Sequence, residues 1–180
     1  MENKYLMIIR HFETHKNSEK IKFNNSFTKS QMFINYIKKF IKKYTNIKKI
    51  KFYTSNQDRT IITSLILSSN LKNEIINDTI LNLQIYEPEI NDILDRDPKK
   101  IKKNDTCKYF KNIIKKSMDN DTLYIYITHS SVIYNLFKCI VKNITNEKFD
   151  IPDKRIHSYS MSTFVKCDDK IHYSFNKKIS

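Results

Sequence analysis

The sequence predicts an α/β fold: a three-layer α/β/α sandwich with a mostly parallel central sheet. Three observations predict it. Short apolar runs at 5–9 (YLMII), 47–53 (IKKIKFY) and 123–128 (LYIYIT) have the length of strands, and the first and third are apolar at almost every position, as strands buried on both faces are. Between and after these runs lie segments whose apolar residues recur at helical spacing. Two of the runs lead straight into polar chemistry, the first into Arg10 and His11 and the third into Thr128 and His129.

The elements follow in order. After the first strand, Thr28, Lys29, Ser30 and Gln31 form a capping-box pattern, and Met32, Phe33, Tyr36, Ile37, Phe40 and Ile41 then repeat at helical spacing with lysines between them. This predicts an amphipathic helix ending near Tyr44. The second strand, 47–53, is followed by a polar turn at 54–58 and a buried helix over 59–67. Residues 70–105 suggest a strand only at 83–86, beside a loop carrying Pro88 and Pro98. Asp105 can cap a helix reaching Met118, Asn120 and Asp121 form a turn, and the third strand leads into a largely apolar helix over 130–144. The stretch 159–175 holds two strands around a turn at 168–170.

Composition narrows the function classes. The 180 residues suit one domain spanning 1–180, and 39% hydrophobic residues are enough for a packed core despite a net charge of +14. The chain has no glycine, which removes the G-x-G-x-x-G dinucleotide sites and the P-loop, both of which need backbone free of Cβ. Alanine and tryptophan are also missing while Ile, Lys and Asn abound, so part of the positive charge reflects compositional bias. Cys107, Cys139 and Cys167 are odd in number and lack metal-binding spacing, which points to a reducing, cytoplasmic setting with no metal and no cofactor. There is no signal-peptide pattern and no apolar run long enough to span a membrane.

The arginines carry the functional argument. Only Arg10, Arg59, Arg96 and Arg155 stand against a background of lysine, and two of the four lie at the predicted strand ends. A planar guanidinium holds phosphate oxygens through paired hydrogen bonds that lysine cannot reproduce. Ligands of open α/β sheets bind beyond the carboxyl ends of the strands, where His11, His129, Arg10 and Arg59 are expected to converge. His15, His157 and His172 have no such support, and no cysteine stands in a C-x-x-x-x-x-R loop.

These residues resemble the signatures of the histidine phosphatase superfamily, also called phosphoglycerate mutase-like. Residues 10–17 (RHFETHKN) are similar to the family's R-H-G-E-T-x-x-N, residues 55–63 (SNQDRTIIT) to S-x-x-x-R-A-x-x-T, and residues 126–133 (YITHSSVI) to V-T-H-G-G-V-I. The three segments fall in family order, and the resemblance spans 4–165. It implies a phosphoglycerate mutase-like fold and a metal-independent phosphatase. His11 would be the nucleophile that takes the phosphoryl group, with Arg10, Arg59 and His129 holding its oxygens. Asn17 and Thr14 would bind or line the phosphate site, joined by Ser130 at the second histidine.

The general acid is left between two carboxylates. Residues 88–92 (PEIND) match the family's P-x-L-x-E-like segment with Asp92 in the acid position, whereas Glu87 lies closer to the family's distance from Arg59. Two departures stand out: Phe12 and Ser130 replace the glycines that follow the family histidines, and side chains there can crowd the phosphate or alter the loop. The expected substrate is a small phosphorylated metabolite, a nucleotide or a phosphoprotein, steered by the basic surface. Three alternatives remain: a phosphate-binding pseudoenzyme, a mutase-type phosphotransferase, and a basic nucleic-acid-binding domain. The last is the least supported, because it leaves the placement of Arg10, Arg59 and both histidines unexplained.

Overall fold

The computed structural model describes residues 3–14, 23–55, 57–74, 119–145, 156–157, 159–168 and 170–179. They form an α/β fold in which three helices accompany a five-stranded mixed sheet. The elements are β1 (Lys4–Arg10), α1 (Phe23–Lys43), β2 (Lys49–Thr54), α2 (Asp58–Glu74), β3 (Thr122–Thr128), α3 (Ser130–Thr145), β4 (Ser160–Cys167) and β5 (Lys170–Lys178). The sheet order is β2-β3-β1-β4-β5. The β1–β3 and β2–β3 pairs are parallel, and the β1–β4 and β4–β5 pairs are antiparallel. Among the described residues the sheet is mixed: two of its four pairings are parallel, and β4 alone runs against the other strands. A connection as short as that between β4 and β5 can only join antiparallel neighbours, whereas parallel strands need a long crossover.

The apolar runs are continuous because β1 and β3 are buried on both faces. Tyr5, Met7 and Ile9 of β1 pack on one face with Phe33, Ile34, Ile37 and Phe40 of α1 and with Leu67 and Leu71 of α2. Leu6 and Ile8 point the other way, into Val132, Ile133, Leu136, Phe137 and Val141 of α3. Each such fully buried side chain contributes roughly 1.5–3 kcal/mol. A one-residue slip of β1 would exchange the two sets, so burial on both faces ties the register that aligns the strand ends.

Helix boundaries depart from expectation in two places. The capping-box pattern at Thr28 does not start a helix: α1 begins at Phe23, and residues 28–31 lie within it. No proline or glycine in 23–28 obliges the chain to leave helical geometry there. Helix α2 continues to Glu74 past the polar triplet Ser68, Ser69 and Asn70, because Leu71 returns to the core four residues after Leu67. The strand expected at 83–86, the loop with Pro88 and Pro98 and the helix expected at 105–118 lie outside the described residues. Among the described residues no helix is long and apolar enough to cross a membrane. Cys139, buried on α3, is disulfide-bonded, while Cys167 is a free thiol.

Candidate active site

The parallel register brings three strand ends level. Arg10 of β1 lies opposite Thr128 of β3, and Thr54 of β2 lies opposite Ile127. The ladders run one step further: His11 N–H donates to the Thr128 carbonyl at 3.0 Å, and Ser55 N–H donates to the Ile127 carbonyl at 3.2 Å. His11, Ser55 and His129 thus follow the carboxyl ends of three adjacent strands. Helices α2 and α3 begin within a few residues, so their positive dipole ends start at this rim. The His129 carbonyl accepts from Val132 N–H at 3.0 Å and Ile133 N–H at 3.1 Å, which makes His129 the residue that opens α3.

The two imidazoles face each other with ring centroids 5.2 Å apart. His11 Nδ1 lies 2.7 Å from the Phe12 carbonyl. A carbonyl only accepts, so Nδ1 carries the proton and Nε2 keeps its lone pair. His129 has the opposite tautomer. Arg59 Nε–H donates to His129 Nδ1 at 3.4 Å, a long bond, which makes Nδ1 an acceptor and leaves the proton on Nε2 for Ser55 Oγ at 2.8 Å. Ser55 Oγ in turn meets Thr60 Oγ1 at 2.7 Å. The Thr60 hydroxyl is directed at the carbonyls of Gln57 (2.6 Å) and Ser55 (2.9 Å), so the proton between the two hydroxyls belongs to Ser55. One ordered chain of donors therefore runs from Arg59 through His129 and Ser55 to the backbone.

A second set of bonds joins β1 to α2. Thr63 Oγ1 accepts from Phe12 N–H at 2.9 Å and donates to the Arg59 carbonyl at 2.7 Å. It locks the loop after His11 to the first turn of α2 that carries Arg59. Arg10 is anchored elsewhere, its Nη1 donating to the Ile156 carbonyl at 2.8 Å.

Electrostatics mark this rim as a place for an anion. Burial pushes the His11 imidazole down to about 4, opposed by its bond to the Phe12 carbonyl and reinforced by Arg59 and Arg10. His129 falls to about 3 through burial, then His11, Arg59 and Arg10. Arg10 is also lowered, by burial first, with the Glu13 carboxylate acting to raise it and Arg59 to lower it. Both rings are thus neutral at pH 7, beside two guanidinium groups that disfavour one another. An anion entering the rim would offset that positive field.

Of the residues singled out from sequence, the fold brings together Arg10, His11, Arg59 and His129. Ser130 is half-buried at the first position of α3, next to His129, and Thr14 is half-buried three residues beyond His11. Asn17, Asp92 and Glu87 lie outside the described residues, as do Arg96 and Arg155. Phe12 is fully buried, its ring 5.8 Å from Phe33 and 5.7 Å from Tyr159, and neither Phe12 nor Ser130 is among the described residues with positive φ. Phe12 therefore serves the core and does not crowd the rim. Sequence reasoning missed the supporting roles of Ser55, Thr60, Thr63 and the Ile156 carbonyl. Ser55, Thr60 and Thr63 stand in the 55–63 segment, and their place around Arg59 in that segment was the available signal. A backbone carbonyl leaves no signal of that kind. No protein-family model matches the chain, and no curated protein matches it.

Proposed function

We propose that the protein is a phosphatase that hydrolyses a phosphate monoester through a phosphohistidine on His11, on a three-layer fold of the phosphoglycerate mutase type. The observation that carries this reading is the tautomer of His11. Its Nδ1–H is committed to the Phe12 carbonyl, so the Nε2 lone pair is available within a site holding Arg10, Arg59 and His129. The resemblance of residues 10–17, 55–63 and 126–133 to the histidine phosphatase signatures supports the same assignment.

In the first step His11 Nε2 attacks phosphorus, the bond to the leaving oxygen breaks, and that oxygen takes a proton. Asp92 is the assigned donor on motif, with Glu87 as its rival on spacing; general acid catalysis of this kind contributes about 100- to 10,000-fold. The guanidinium groups of Arg10 and Arg59 stabilise charge on the equatorial oxygens, and His129, which gives its Nε2–H to Ser55 and accepts from Arg59 at Nδ1, orients the Arg59 guanidinium beside them. In the second step water attacks phosphorus and gives a proton to the carboxylate left by the first step, the P–N bond breaks, and its electron pair returns to Nε2. Inorganic phosphate leaves. Substrates are small phosphorylated metabolites, nucleotides or phosphoproteins.

Hydrolysis of an aryl phosphate in the presence of a chelator, with the native chain compared to His11→Ala, tests the proposal. Chelator-resistant turnover that vanishes in the variant is expected, together with acid-labile labelling of the native chain. Equal background rates in both would refute it and leave a phosphate-binding module.

A further inference from the structure

One peptide unit beside the site is held at both ends. The Ile156 carbonyl accepts from Arg10 Nη1 at 2.8 Å, and the N–H of the same peptide, that of His157, donates to Asn176 Oδ1 at 3.0 Å. The next carbonyl, that of His157, accepts from Ser160 Oγ at 2.8 Å. Asn176 reaches this peptide because β5 is irregular. Met161 pairs with Lys177 and Thr163 with Ser174, so Phe175 and Asn176 both face the single residue Ser162. This is a β-bulge, a device that re-aims a side chain. Asn176 has φ 50°, in the left-handed region, and its N–H donates to Ser162 Oγ at 3.0 Å. In a chain without glycine, asparagine is among the residues that enter that region at least cost.

We infer that Asn176 is a positioning residue for the anion site: its carboxamide orients the Ile156–His157 peptide, whose carbonyl anchors the Arg10 guanidinium. The inference rests on the phosphatase reading, in that the anion is a phosphate group. A peptide whose N–H is hydrogen-bonded is a stronger acceptor at its carbonyl, because the two bonds polarise each other. Anchoring one nitrogen of a planar fork also sets the plane of the other donors. The cost of ordering a long, rotamer-rich side chain is then met before phosphate arrives.

Asn176→Gly isolates the carboxamide, since glycine keeps the left-handed backbone. Inorganic phosphate is titrated by NMR into the native chain, Asn176→Gly, Arg10→Ala and the double variant, and KM and kcat are measured with an aryl phosphate. Asn176→Gly is expected to weaken phosphate binding about three- to tenfold, as loss of one supporting hydrogen bond implies, and to raise KM by a similar factor with kcat little changed. Asn176→Asp, which keeps an acceptor oxygen and tolerates the backbone, restores affinity. In the Arg10→Ala background the glycine substitution adds nothing. Unchanged affinity in Asn176→Gly, or an equal loss with and without Arg10, overturns the inference while leaving the phosphatase reading intact. Failure of the native chain itself to bind inorganic phosphate overturns that reading, and the inference with it.

Discussion

Protonation of His11 links the site's geometry to a measurable quantity. The imidazole is lowered from 6.5 to about 4, first by burial and then by the two arginines. At pH 5 a ring of the ordinary value is roughly 3% neutral, whereas one at about 4 is roughly 90% neutral, a thirtyfold difference in competent nucleophile. The perturbation is acidification from pH 8 to pH 4, with the His11 ring proton followed by NMR and assigned against His11→Gln. The linkage to stability has a defined sign. Between about 4 and 6.5 the unfolded chain binds a proton that the folded chain does not, so unfolding free energy falls as pH drops through that window. For His11 the interval corresponds to ~3 kcal/mol, and His11→Gln should lose at least that part of the pH dependence in urea unfolding. His129, lowered further still, titrates in the same direction and below His11. A His11 midpoint at or above its ordinary value, or an unfolding free energy equally pH-dependent in His11→Gln, would refute the argument that burial beside Arg10 and Arg59 holds the ring neutral.

Three further outcomes are expected. Thr63→Val removes the acceptor for the buried Phe12 N–H and the donor to the Arg59 carbonyl, so urea unfolding should show a loss of ~1–3 kcal/mol, which Thr63→Ser restores in large part. Phe12→Gly returns the glycine of the histidine phosphatase signature but deletes a ring packed between Phe33 and Tyr159; it should cost at least ~3–5 kcal/mol with no gain in rate. Arg59→Lys keeps the charge but loses the planar fork and its bond to His129, and phosphate affinity by NMR titration should fall about tenfold, with little change in melting temperature.

Much of the fold was legible because its physical signals are local. Strands β1 and β3 announce themselves as unbroken apolar runs, since side chains pack on both sides of these two strands and neither side needs polar residues. The start of α1 and the end of α2 were read less well. Thr28 carries a cap-like pattern inside a helix, and the triplet at 68–70 resembles a stop, because local propensity is weaker than the packing of Leu67 and Leu71 that overrides it.

The candidate site divides along the same line. Four of its side chains, Arg10, His11, Arg59 and His129, stand out in the sequence: arginine is scarce in a lysine-rich chain, and both histidines follow apolar strands. What they do to one another was decided only in three dimensions. The parallel register sets the two rings 5.2 Å apart, the Phe12 carbonyl chooses the tautomer of His11, and Arg59 with Ser55 chooses that of His129. Phe12, which the sequence offered as an obstacle to phosphate, turns into the core. The bulge at Asn176 and the carbonyl of Ile156 have no sequence pattern of their own. Residue identity and spacing determine which groups arrive at a strand end, but proton positions, desolvation and backbone hydrogen bonds depend on what packs around them, and that information is long-range.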